Sequence, residues 1–261
     1  MRHLVATRHG QMHVRVSPGS GKPLLALHMS PLSGAMWVRL MDRLSRPVIA
    51  PDRIGFGFSD APVIELTMDD YAAATLDALD ALHFPEFDVL GEHTGSVEAV
   101  AITHIATDRV GCVGLVGVPA YSEAERRERL AFRGAPPKPP VEDGSHLLGL
   151  WRKRLAYRTP PYDLDVLHRN TVAELISAGP ERAYRAVFAY PMMDRLSTLE
   201  RPAVVFAPHD DLIAQTERAR SELPPRSTYV DLPDLSLDVF DVAADRMATL
   251  VTEYLGADAC N

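Results

Sequence analysis

Cysteine is nearly absent from this chain. Its 261 residues contain two, Cys112 and Cys260, too few for a disulfide scaffold. Cys112 falls in an apolar run and Cys260 is next to last, so a buried thiol and a loose tail thiol are expected, as suits a reducing compartment. A basic excess is missing too. The formal net charge is −8, which argues against nucleic acid and anionic membranes as partners. No apolar run is long enough to span a bilayer. The N-terminal MRHLVATRHGQMHVRV has no apolar core of a secretory signal, so a soluble, cytoplasmic protein is the expectation. Histidine is absent after His209.

What is present is ample apolar material, 46% of residues, enough for one sizeable core without covalent staples. Short β-like runs at 3–7 and 11–16 open the chain. Buried-strand runs follow at 24–28, 47–50, 87–90 and 112–118, with helical stretches at 34–45, 68–82 and 95–106 between them. Thr67 is placed to cap the second of these helices, with Asp70 standing in for the usual Glu of a capping box. Residues 121–190 contain only helix-like segments and the proline cluster Pro136-Pro137-Lys138-Pro139-Pro140, read as a rigid connection inside an inserted helical cap. Ser145 is the expected N-cap of one cap helix. Strand and helix alternate again at 203–207, 212–222, 228–232 and 239–255. This rhythm predicts an α/β fold with a mostly parallel sheet covered on both faces. The cap 121–190 interrupts a core made of 1–120 and 191–261. Functional side chains are then expected in loops beyond the carboxyl ends of the strands.

One such loop, Gly91-Glu92-His93-Thr94-Gly95, joins a strand to a helix in the G-x-X-x-G frame of a nucleophile elbow. Small flanking residues allow a sharp turn that lifts one side chain above the sheet, and here that side chain is an imidazole. Four further segments stand in matching order: His28-Met29-Ser30-Pro31-Leu32-Ser33-Gly34 after the third strand, Asp52-Arg53-Ile54-Gly55-Phe56-Gly57-Phe58-Ser59-Asp60 after the fourth, 203–211, and 233–255. Together they resemble the α/β-hydrolase superfamily over nearly the whole chain. The resemblance implies an eight-stranded fold, an oxyanion hole formed by the Ser30 and Thr94 amides, and a small-molecule substrate. It implies no cofactor.

The departures from that family are specific. His93 stands where a Ser, Asp or Cys nucleophile is usual. The loop that normally carries the catalytic histidine reads Pro233-Asp234-Leu235-Ser236-Leu237-Asp238, with Leu237 at or near the missing base. Met29 replaces the oxyanion loop's usual glycine. The acid position survives in His209-Asp210-Asp211, with Asp211 the first choice and Asp210 the second. A Ser–His–Asp relay therefore cannot operate. A neutral imidazole is a base near pH 7, and a helix N-terminus disfavours its charged form. A His93–Asp211 dyad acting as general base or acid is the expectation. The reaction is ester, lactone or C–C bond hydrolysis, or a lyase or isomerase proton transfer. The alternative is an inactive relic that binds a small molecule. Further residues assigned to the substrate are His28, Met29, Arg53, His146, Trp151 and Leu237, although for His28 the favoured reading is a support for loop backbone. No metal site is expected, because the donors lack ligand spacing. Whether the chain forms a homodimer is left open.

Overall fold

The computed structural model describes residues 1–131, 140–156, 158, 163–178 and 180–256. Its frame is one eight-stranded sheet in the order β1-β2-β4-β3-β5-β6-β7-β8. The strands are β1 (Arg2–Thr7), β2 (Gly10–Val16), β3 (Leu24–Leu27), β4 (Val48–Pro51), β5 (Phe87–Glu92), β6 (Val110–Val116), β7 (Ala203–Pro208) and β8 (Thr228–Leu232). Strands β1 and β2 form an antiparallel hairpin, and β2 meets β4 antiparallel. All other pairings are parallel. Strands β3 to β5 are wholly buried, as strands covered on both faces are, and β5 carries Asp88 and Glu92 within its buried length.

The helices are α1 (Val38–Met41), α2 (Met68–Ala81), α3 (Thr94–Ile105), α4 (Glu123–Ala131), α5 (Ser145–Ala156), α6 (Leu164–Ile176), α7 (Pro180–Ala189), α8 (Met192–Ser197), α9 (Ile213–Ala219), α10 (Val239–Val242) and α11 (Ala244–Tyr254). The Thr67–Asp70 capping box at the start of α2 is formed as the spacing requires. The helix expected over 34–45 is instead a 3₁₀ turn, Gly34–Trp37, followed by the single turn α1. The stretch 239–255 breaks at Ala243 into α10 and α11. Ser145 is the first helical residue of α5 rather than its cap, and its amide donates to Asp143 Oδ1 at 2.9 Å.

Between β6 and β7 every regular element among the described residues is a helix. The proline cluster falls at 136–139, outside the described residues apart from Pro140. Cys112 on β6 is disulfide-bonded and not the free thiol expected from its apolar surroundings. The chain's last helix ends over this strand, where a Cβ on Gly114 would stand 2.7 Å from Leu255, so residue 112 lies close to the C-terminal part of the chain. Cys260 is outside the described residues. No helix among the described residues is long and apolar enough to cross a membrane.

Strand β3 sits centrally, with β4 on one side and β5 on the other. Chain connections therefore leave β3 and β5 in opposite directions across the sheet, which opens a crevice at their carboxyl ends. The loop after β3 and the elbow after β5 face each other across it.

Candidate active site

The elbow is built by close backbone approach. A Cβ on Gly91 would lie 2.0 Å from the Gly95 carbonyl oxygen, and one on Gly95 would lie 2.1 Å from that of Leu27. Only glycine fits at either position. His93 between them takes φ 51° and ψ −111°, a conformation that costs a non-glycine residue about 1–3 kcal/mol. Its amide donates to the Val116 carbonyl at 2.9 Å. Ser96 braces the turn from within: fully buried, its hydroxyl donates to the Gly91 carbonyl at 2.7 Å and accepts from the Val116 amide at 3.1 Å.

The imidazole lies against a carboxylate. His93 Nε2 is 2.7 Å from Asp210 Oδ2, and both side chains are buried. Asp210 is held in turn by the Leu212 amide, which donates to its Oδ1 at 2.8 Å. The partner is therefore Asp210 and not the expected Asp211. Asp210 turns inward to cap the entry to α9, whereas Asp211, one residue on, is exposed at the cavity wall. A carboxylate can only accept, so Nε2 carries the proton. Nδ1 has no hydrogen-bond partner among the described residues. His93 itself lines the cavity.

Two opposing effects set the basicity of this ring. Burial lowers its pKa, but the Asp210 hydrogen bond and the charges of Asp210, Glu92 and Asp211 outweigh it, so the net shift is upward from the ordinary histidine value. The helix N-terminus does not decide the matter, contrary to the expectation that it would keep the ring neutral. Behind His93, Glu92 is fully buried and its Oε2 has no partner. Desolvation above all, then the nearby acids, push its carboxyl up to about 8.

The expected oxyanion donors stand at the crevice. The Ser30 amide points to Thr94 Oγ1 at a long 3.4 Å. The Thr94 amide is the first of α3 and has no acceptor within the helix. The Tyr184 hydroxyl, from α7, donates to the Ser30 carbonyl at 3.0 Å, which ties the cap to this loop. Met29, Ser30, Thr94 and Leu237 all line the cavity.

Two residues assigned to the substrate do not reach it. His28 is 1% exposed. Its Nε2 accepts from the Arg53 amide at 2.9 Å and its Nδ1 contacts the Met29 carbonyl at 2.8 Å. Burial pushes its pKa down to about 3. It is a neutral support for loop backbone, the reading the sequence favours for this residue. Arg53 is buried beneath the loop, where it pairs with Glu98 Oε2 at 2.6 Å and donates to the His28 carbonyl at 2.9 Å. Thr75 completes that network through Glu98 Oε1 at 2.7 Å. Such a pair shapes the loop from inside, since removing one partner would leave a buried charge alone.

The cavity of 1110 Å³ is walled by the elbow, the β3 loop and the cap. His146 and Trp151 are not among its lining residues. His146 Nδ1 instead accepts from the Val141 amide at 3.3 Å, at the start of the cap helix. From the same stretch of chain, Lys153, Arg154 and Arg158 face the cavity. The loop expected to lack a base carries a latch: Asp238, at φ 56°, accepts from Arg158 Nε at 2.6 Å and from Asn170 Nδ2 at 3.0 Å. The place from which a catalytic histidine would swing in is thus apolar at Leu237 and tied to the cap at Asp238.

Gly117 escaped the sequence reading. It follows β6 at φ +57°, and a Cβ there would stand 2.5 Å from His93 Cδ2 and 3.0 Å from Asp210 Oδ2. Its only signal in the sequence was a glycine closing an apolar strand. Among the described residues, His93, Asp210 and Asp211 also form the one group of donors spaced to hold a metal ion, their ligand atoms lying within 4.8 Å of one another.

The α/β-hydrolase fold family model matches residues 22–199, more than half of the chain. The chain belongs to the α/β-hydrolase fold family. Among curated relatives, it is 28% identical to a 2-hydroxymuconate semialdehyde hydrolase of Pseudomonas sp. strain CF600, over 92% of this chain and 89% of that protein. Among solved structures, a hydrolase from Pseudomonas aeruginosa PA01 superposes with a TM-score of 0.81 at 22% identity, covering 98% of both chains. An enol-lactonase from Burkholderia xenovorans LB400 superposes with 0.79 at 20% identity, covering 97% of this chain and 99% of that one. These two likenesses establish the fold.

Proposed function

We propose that this α/β-hydrolase-fold chain is an enzyme for a small carbonyl compound in which His93 acts as general base and acid, without a covalent serine intermediate. The observation that carries the reading is the pairing of His93 Nε2 with Asp210 at 2.7 Å on a ring that lines the cavity, which leaves Nδ1 as the nitrogen able to act. Asp210 fixes the tautomer and stabilises the imidazolium, as the acid of a relay does, but it acts on a ring held at the nucleophile's own place. In hydrolysis, Nδ1 removes a proton from water, and the water oxygen attacks the carbonyl carbon. The Ser30 and Thr94 amides receive the developing oxyanion. As the tetrahedral intermediate collapses, the imidazolium returns its proton to the leaving oxygen or carbon. The same ring can take a proton next to a carbonyl and return it elsewhere, as a lyase or isomerase would. The curated relative's hydrolysis of 2-hydroxymuconate semialdehyde favours the hydrolytic form, on an ester, a lactone or a C–C bond.

A second reading is a relic that binds a small molecule without turning it over. It is favoured by Leu237 and Asp238 at the base loop and by Met29 in the oxyanion loop. A panel of aryl esters, lactones and vinylogous 1,5-diketones decides between them. The enzyme reading requires wild-type turnover and a fall of about 10²–10⁴-fold in His93→Ala, with ligand binding retained. Wild-type inactivity across the panel, or undiminished rates in H93A, would overturn it.

A further inference from the structure

Most charged groups along the cavity are already paired. Lys153 and Arg154 meet Glu174, Arg158 meets Asp238, Arg185 meets Glu65, and Glu125 meets Arg218. Arg129 is different. It projects from α4 into the cavity lining with its guanidinium carbon 4.3 Å over the Tyr121 ring and 5.5 Å from the Phe188 ring centre. It makes no ion pair or hydrogen bond among the described residues. The rings hold the guanidinium by its face, which leaves the N–H edge free for a planar acceptor. The hydroxyl of Tyr121, in the same wall, also has no hydrogen-bond partner among the described residues. Tyr121 lies within electrostatic reach of Arg129 on one hand and of Asp210 and Asp211 on the other.

We propose that this corner is an anion subsite: Arg129, with the Tyr121 hydroxyl beside it, receives a carboxylate group of the substrate while the reacting carbonyl lies at His93. It rests on the cavity being the substrate site and deepens that reading by naming the substrate class, an anionic carbonyl compound. The fork of N–H donors on a guanidinium matches the two oxygens of a carboxylate. Tyr121 and Phe188, packed edge to face with centroids 5.6 Å apart, supply flat apolar surface beneath it. Asp211, Glu128 and Glu181 also line the cavity, so Arg129 is the cation that offsets them for an anionic ligand.

Calorimetric titration with trans-cinnamate and trans-cinnamamide tests this, because the two differ only in a carboxylate against a neutral amide. Wild-type protein is expected to bind cinnamate at least about tenfold tighter, the scale of a charge-assisted hydrogen bond. Arg129→Gln should erase the preference and Arg129→Lys should keep part of it. Arg129 is exposed, so its loss leaves the fold in place. His93→Ala should keep the full preference, which separates this result from any failure of the base assignment. Equal affinities in the wild type, no detectable cinnamate binding, or an undiminished preference in R129Q would each overturn the subsite.

Discussion

Gly117 and His93 claim the same volume. A Cβ on residue 117 would lie 2.6 Å from His93 Nε2, closer than side chains pack. Glycine at 117 is therefore the condition for an imidazole at 93. Gly117→Ala must push the ring off Asp210 and also strains a positive-φ position. We expect turnover to fall by about 10²-fold, the usual cost of a misplacement near 1 Å. Melting temperature measured beside kcat/KM separates this displacement from unfolding.

Asp210 and Asp211 are adjacent in sequence but differ in placement. Asp210→Asn removes the acceptor that fixes the Nε2 proton and is expected to lower kcat by several orders of magnitude, about the 10⁴-fold seen when a relay acid is neutralised. Asp211→Asn should change kcat by less than about threefold, since exposed charges couple weakly. Chelation by EDTA should leave the rate unchanged. Loss of activity on chelation, restored by a divalent ion, would mean that His93, Asp210 and Asp211 act as metal ligands instead.

Glu92 gives a stability signature. Its folded pKa is raised to about 8, chiefly by burial, so the native state holds this proton more tightly than the unfolded chain does. Its contribution is fully present below the unfolded value, near 4.5, and is lost as pH rises through about 8. His93 adds a loss of the same sign over its own window, from the ordinary histidine value up through its raised folded pKa. Glu92→Gln should therefore flatten the fall in melting temperature between about pH 4.5 and about pH 8. An unchanged slope in E92Q would show that Glu92 ionises freely in the fold.

The strands were readable in the sequence because β3, β6 and β7 are continuous apolar runs and β5 is apolar but for Asp88 and Glu92, and the elbow was readable because sterics require glycine at 91 and 95. The pairing of His93 was readable only to within one residue. Two consecutive aspartates differ in nothing but the direction the turn gives them, and the Leu212 amide that selects Asp210 is a backbone group. Arg53 and His28 looked like cleft residues because they end strands at the active face. Their burial comes from Glu98, 45 residues further along, whose charge a local reading could not place beside Arg53. Gly117, Arg129 and Asp238 depend on packing across the crevice, for which the chain carries no local pattern.

The central claim is that His93 supplies the proton transfer, and a paired pH titration tests it most directly. The ¹⁵N resonances of the His93 ring report which nitrogen holds the proton and where the ring titrates, while kcat/KM is followed over the same range. Because the folded pKa is raised, the ring should lose its charge above the ordinary histidine value of about 6.5. The rate should then rise with pH through that same midpoint, with Nε2 protonated and Nδ1 bare on the alkaline side. A rate that is flat through the titration of His93, or a proton found on Nδ1 in the neutral ring, would contradict the account.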